Sequence, residues 1–174
     1  MPDTALSEAI KEAYATAPAG EVILHTLEFR HQNFTAPIRV VLDHNDLTAT
    51  LEADAPLNPS EPVTFVAFNF EFQLPEVQTS AVPEIIISMD NVSPEIEQSL
   101  ALAVASPYPI YVTYRPFLST DLTVPQMDPP LTLTLTHVEA TDFRVTARAT
   151  FGDMSNRQFP NKDYTIAGFP GLVR

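Results

Sequence analysis

Residues 63–73 read Val63-Thr64-Phe65-Val66-Ala67-Phe68-Asn69-Phe70-Glu71-Phe72-Gln73. Val66, Phe68, Phe70 and Phe72 recur at every second position, with Ala67, Asn69, Glu71 and Gln73 between and beyond them. A period of two marks a strand with one buried and one wetted face. The spacing predicts one continuous strand whose phenylalanines anchor a core. Each ring removes about 150–250 Å² from water, so core packing accounts for them better than a ligand platform does.

Upstream, EVILHTLEFR (21–30), FTAPIRVVLD (34–43) and LTATLEA (47–53) have the same β character, and the turn His44-Asn45-Asp46 separates the last two. Together they predict a three-strand meander. Pro37 lacks an N–H and should place its end of the second run at an edge or bulge. Before them, Leu6, Ile10 and Tyr14 recur at helical spacing after Thr4, a candidate N-cap, and Pro18 and Gly20 end the segment. This predicts a terminal helix over residues 1–17, docked on a sheet edge or reaching a neighbouring subunit.

Downstream, EIIISMD (84–90) reads as a nearly all-apolar central strand. Ser93-Pro94-Glu95 then starts a helix, with Ser93 as cap, proline in the first turn and Ile96, Leu100 and Val104 inward. IYVTYR (110–115) is a strand that Pro116 should stop. Residues 116–130, PFLSTDLTVPQMDPP, then form a long loop that is either functional or packed on a partner. LTLTLTHV and FRVTARATF predict a hairpin. An odd loop, Ala140-Thr141-Asp142, would set Glu139 opposite Phe143, His137 opposite Val145 and Leu135 opposite Ala147, joining the apolar rows. Residues 152–174 carry Phe159, Tyr164, Phe169 and Leu172, too many apolar groups for a free tail, so this segment should pack on the body or on another chain.

The expected fold is mainly β: a single domain over residues 1–174, a β-sandwich or split β-barrel over 21–151, with one N-terminal and one internal α-helix. The composition agrees. The chain has 174 residues, 45% of them hydrophobic, with seventeen prolines and only four glycines. That suits strands joined by stiff loops rather than a helical bundle.

No cysteine is present, which excludes disulfides, zinc ribbons, iron–sulfur sites and thiol nucleophiles. A formal charge of −13 with two lysines argues against a nucleic-acid binder, because a phosphate backbone needs lysine and arginine. The N-terminus lacks the basic and apolar regions of a secretory signal, and no apolar run is long enough to span a membrane. There is no GxSxG, HExxH, phosphate loop or GxGxxG. Asp43-His44-Asn45-Asp46 fails as a calcium loop, because Leu47 and Thr48 stand where an oxygen ligand and a glycine are needed. His25, His31, His44 and His137 lack ligand spacing and read as structural. The sequence therefore predicts no catalytic residue, no metal and no cofactor.

Charge is unevenly placed. Residues 1–87 hold thirteen acids and three bases, whereas residues 142–174 hold three acids and five bases. An acidic body with a mildly basic C-terminal part suits head-to-tail contacts that close into rings.

The runs EAYATAP, EVILHTLEFRH, APIRVV, LTATLEADAP and VTFVAFNFEFQLPEV, followed by ISMDNVSPEIEQ, VTYRPFLSTDLTVPQMDPPLTLTLT, RVTARATFGDMSNRQFP and YTIAGFPGL, resemble a family of tailed-phage and prophage tail proteins. That family is catalogued mainly as a domain of unknown function, and the resemblance spans nearly the whole chain in order. It implies a virion structural protein in a homo-oligomeric ring at the distal tail or baseplate, made in the bacterial host cytoplasm. A six-fold adaptor ring is favoured over a three-fold hub, because lambda-type hubs carry a cysteine-bound iron–sulfur cluster that this chain cannot build. The implied neighbours are the tail tube protein and hub or tail-fibre proteins. DNA would pass an acidic lumen without specific binding, and no membrane is involved. Candidate subunit contacts are Phe117, Leu118, Met127, Arg144, Arg148, Arg157, Phe159, Tyr164, Phe169 and Leu172, with bases at contacts rather than in the pore. The contrasting reading is a β-sandwich module binding sugar or protein through Tyr108, Tyr111, Tyr114 and Phe117.

Overall fold

The computed structural model describes residues 7–16, 21–73, 84–90, 103, 106–140 and 144–150. The fold is mainly β. One short helix, α1 (Glu8–Thr16), precedes nine strands: β1 (Ile23–Arg30), β2 (Ile38–Val41), β3 (Leu47–Thr50), β4 (Pro62–Ala67), β5 (Phe70–Gln73), β6 (Glu84–Asp90), β7 (Tyr111–Leu118), β8 (Leu131–Ala140) and β9 (Arg144–Thr150). They form one mixed sheet in the order β3-β4-β2-β1-β7-β8-β9-β6-β5, and it is not closed into a barrel.

The run 63–73 is two strands, not one. β4 ends at Ala67, β5 begins at Phe70, and the two lie at positions two and nine of the sheet. The burial phase slips between them. Val63 and Phe65 are buried while Val66 is 52% exposed; beyond the break Phe70 is buried, with Phe68 and Phe72 packed partly against the core. Seven strand spacings across a flat sheet would cover about 34 Å, yet two linking residues bridge only about 11 Å. The sheet must therefore coil until its two ends approach.

Coiling creates two apolar clusters. One joins Leu27, Phe29 and Val40 to Ile85, Ile87, Met89, Val112, Leu133, Val145 and Ala147, residues drawn from both halves of the sheet. The other lies on the opposite face of β1 and β7, where Leu24 and Phe117 meet Val41, Leu47, Ala49, Val63 and Phe65. The central pair is thus covered on both faces, and seven of the eight β7 residues are buried. Full burial of each Leu, Ile or Phe contributes roughly 1.5–3 kcal/mol.

The expected meander does not form. β1 and β2 pair antiparallel, but β4 inserts parallel to β2 and then pairs with β3. This sends Val63 and Phe65 to the second cluster beside Leu47 and Ala49, which a direct β2–β3 hairpin would leave uncovered. Pro37 falls just before β2, and β2 is an interior strand. Asp46 is spent on the sheet: its Oδ1 accepts the Ala67 N–H at 2.8 Å. β7 also continues through Pro116 to Leu118. The Pro116 carbonyl accepts the Gln126 N–H at 2.8 Å, so its backbone polar groups face away from β1, on the side where the β8 ladder has already ended at Tyr114–Leu131.

The β8–β9 hairpin reaches its apolar match by another route. Ala140 pairs with Val145, Val138 with Ala147 and His137 with Arg148; a bulge at Thr136 then shifts the register so that Leu135 meets Ala149. Instead of an odd loop, the extra residue lies inside the strand. His137 therefore turns outward, 57% exposed and 2.9 Å from Glu139.

Residues 116–130 are packed on their own chain. Leu122 accepts from the Thr50 N–H at 2.9 Å, and Gln126 is buried between β7 and the helix. The cap of α1 is Ser7: its Oγ accepts the Ile10 N–H at 3.2 Å and donates to Gln126 Oε1 at 2.6 Å, while its N–H donates to the Gln126 carbonyl at 3.0 Å. Ile10 is fully buried beneath it. Thr4, the helix predicted from Ser93 (except for buried Ala103) and the tail 152–174 lie outside the described residues.

Candidate functional site

The polar face of β1 and β7 carries Thr26, Glu28, Thr113 and Arg115, all buried. β2 adds Arg39, the end of β1 adds Arg30, and the segment after β3 brings Glu52 over the top. Fully buried charges are tolerated only when paired, and here the pairing is extensive. Glu28 takes the Arg39 Nε–H at 2.7 Å on one oxygen; on the other it takes the Arg115 Nη1–H at 3.3 Å and lies 3.3 Å from Arg30 Nε. Arg115 closes a fork on Glu52, Nε to Oε2 at 2.8 Å and Nη2 to Oε1 at 2.7 Å. Three arginines and two glutamates leave the network at a formal +1.

The surrounding segment holds these groups in place. Asn58 and Ser60 adopt left-handed φ values of 55° and 57°. Asn58 accepts from Arg39 Nη2 at 2.9 Å and donates to Glu61 at 2.7 Å, while the Ser60 N–H bonds the Glu52 carbonyl at 3.2 Å. Arg30 Nη2 donates to Thr113 at 3.0 Å, but its Nε has only the ionic contact with Glu28.

Titration follows this geometry. Burial works against the charge on Glu52, but its bonds to Arg115 outweigh that and hold the carboxyl below its ordinary range. Burial likewise opposes charge on Arg115, and the two glutamates more than offset it, raising the guanidinium further. On Arg30 burial dominates and lowers the pKa, with Arg115 acting in the same direction. Both carboxylates are committed to guanidinium groups that cannot serve as acids near neutrality. The arrangement therefore acts as an electrostatic lock fastening β1, β2, β7 and the 52–61 segment together. Among the described residues no group of three His, Asp or Glu side chains could hold a metal ion.

Two grooves flank the lock. One, about 350 Å³, runs between Glu52, Asp54 and Arg115 and the Met127–Pro130 stretch. The other, about 340 Å³, is walled by Arg30, His31, Leu57, Tyr108 and Tyr111.

The chain belongs to the DUF1833 family. The family profile, described as a domain of unknown function, matches residues 9–164. No curated protein matches the chain.

Within this DUF1833 domain the sequence-predicted contact residues scatter. Phe117 and Leu118 are 0% and 2% exposed, leaving no area for a second copy; Phe117 is part of the second cluster. Met127 is half-buried against the first cluster and lines the 350 Å³ groove. Arg144 is half-exposed and bonds Asp90 at 2.6 Å, and Arg148 is exposed opposite His137. Arg157, Phe159, Tyr164, Phe169 and Leu172 lie outside the described residues. Of the aromatics proposed to stack on a sugar, Tyr114 and Phe117 are buried, and Tyr108 and Tyr111 are exposed at one groove.

The charge network was missed. Its signal was present as charges inside apolar strand runs, in LEFR, PIRVV and VTYRPF.

Proposed function

We propose that this DUF1833 domain is a virion structural protein of a long-tailed phage, forming a six-copy ring at the distal end of the tail tube that joins the tube to the tail tip. The likeness to phage tail proteins along nearly the whole chain supports the role. One observation carries it physically: folding removes bases from the surface. Arg30, Arg39 and Arg115 are drawn into the lock. Among the described residues the exposed acids are Glu8, Glu12, Asp43, Asp46, Asp54, Glu61, Glu71, Asp128 and Glu139, against exposed Arg144 and Arg148. A surface of this sign repels phosphate over the ~8–10 Å screening length and suits a passage that DNA must cross without sticking. The bases were expected at subunit contacts; three of them hold the monomer together instead.

Native mass spectrometry and negative-stain imaging of the full chain test the ring, and labelling this chain in purified tails tests its place. Closed rings located at the distal tail are expected. A monomer that is missing from intact particles would end the proposal.

A further inference from the structure

The two grooves beside the lock form one surface. Pro56 lines both, and Arg30 of the 340 Å³ groove donates through Nη2 to Thr113 of the 350 Å³ groove at 3.0 Å. Tyr111, Thr113 and Arg115 share one face of β7, because side chains alternate along a strand. Tyr111 stands in the first groove, Thr113 and Arg115 in the second. From Tyr111 to Arg115 the strand advances about 14 Å.

The two ends of this surface differ in chemistry. At one end Tyr108, Tyr111 and Leu57 are 51%, 42% and 42% exposed, beside Pro56 and Pro109. The polar groups there are committed. The His31 Nδ1 accepts the Asn33 N–H at 3.1 Å, so its Nε2 carries the hydrogen that bonds the Tyr108 carbonyl at 3.2 Å. Arg30 is tied to Thr113 and Glu28. This end therefore offers rings and aliphatic carbon, and few hydrogen-bonding groups to match the hydroxyls of a sugar. At the other end Asp54 and Asp128 are exposed. Among the described residues neither carboxylate has a hydrogen bond or an ion pair, whereas neighbouring Glu52 is held by Arg115.

An aromatic end lined with proline and an unpaired acidic end complement one class of ligand. That ligand is an extended, proline-rich segment carrying a basic side chain. Its polyproline II backbone is preformed, so little ordering entropy is lost on docking. It rises about 3.1 Å per residue, so roughly four to five residues cover the distance from Tyr111 to Arg115. Exposed ion pairs add little each, so the rings supply most of the affinity and the acids set the direction.

We infer that this joined groove binds a proline-rich extended segment of another protein, with prolines against Tyr108 and Tyr111 and an arginine or lysine at Asp54 and Asp128. The inference stands whether or not copies assemble into a ring, because one copy holds the whole surface.

A peptide of four Pro-Pro-Arg repeats is the probe, titrated into the nitrogen-15-labelled full chain and followed by amide shifts. Gly-Gly-Arg repeats of equal length keep the charge without proline, and Pro-Pro-Glu repeats keep the proline with the opposite charge. The Pro-Pro-Arg peptide should give saturable shifts centred on Leu57, Tyr108 and Tyr111, and should bind at least tenfold more tightly than either control. Tyr108→Ser with Tyr111→Ser should weaken binding at least tenfold, and Asp54→Asn with Asp128→Asn at least threefold. All four positions are exposed, so folding is not at risk. No shift, shifts centred elsewhere, equal binding of either control peptide, or affinity indifferent to the tyrosines would each overturn the assignment. So would groove shifts with a neutral glucan oligosaccharide and none with the peptide, which would give the groove to a sugar.

Discussion

Arg115 and Glu52 stand sixty-three residues apart in the chain and meet in a two-bond fork at 2.8 and 2.7 Å. Arg115 simultaneously bonds Glu28, which holds Arg39. One guanidinium thus joins three separate segments above a sheet face that would otherwise bury unpaired charge.

Glu28→Gln should destabilise the fold by about 3–5 kcal/mol, because three arginines then share the single carboxylate of Glu52. Urea unfolding followed by circular dichroism measures it. Glu139→Gln, on a 72% exposed side chain, should leave the midpoint where it is. Equal midpoints for the two variants would show that the buried network does not hold the sheet.

Acidification should weaken the fold in two stages. Burial lowers the pKa of His25, whose Nδ1 lies 2.8 Å from the Tyr114 hydroxyl. The unfolded imidazole therefore binds protons first, and stability falls as pH drops below about 6.5. Glu52 is also lowered, in its case by Arg115 against the effect of burial. Its contribution is fully present above the unfolded carboxyl value and is lost as pH falls below about 4.3 towards the folded one. Midpoints measured from pH 8 to pH 3 should decline in both windows. His25→Asn should remove the upper decline and spare the lower.

Phe65→Ala should cost about 3–5 kcal/mol, and Val66→Ser should change stability by less than about 0.5 kcal/mol. The two residues are neighbours on β4, at 0% and 52% exposure. Thermal unfolding of both variants decides the burial phase of β4. A large loss from Val66→Ser would restore the single-strand reading of residues 63–73.

Ser7→Ala removes the α1 cap and the side-chain bond to Gln126 Oε1, and should cost about 1–2 kcal/mol. Because Ser7 Oγ and Gln126 Oε1 are 2.6 Å apart, a double-mutant cycle with Gln126→Ala should show coupling of about 0.5 kcal/mol or more. Additive losses would mean that the helix and the 116–130 loop dock independently.

The sequence by itself determined the β class, the existence of nearly every described strand and the N-terminal helix. Alternation and helical spacing are local signals, read over four to ten residues, and they reflect which faces become dry. Only the tertiary structure decided which strands are neighbours, where the phase of 63–73 breaks, that Thr136 bulges, and that Arg30, Arg39 and Arg115 lie inside. The reason is range. A strand's period is set by its own residues, but the burial of a charge depends on a partner tens of positions away, and the break at Phe68-Asn69 depends on a sheet that coils until its two ends approach.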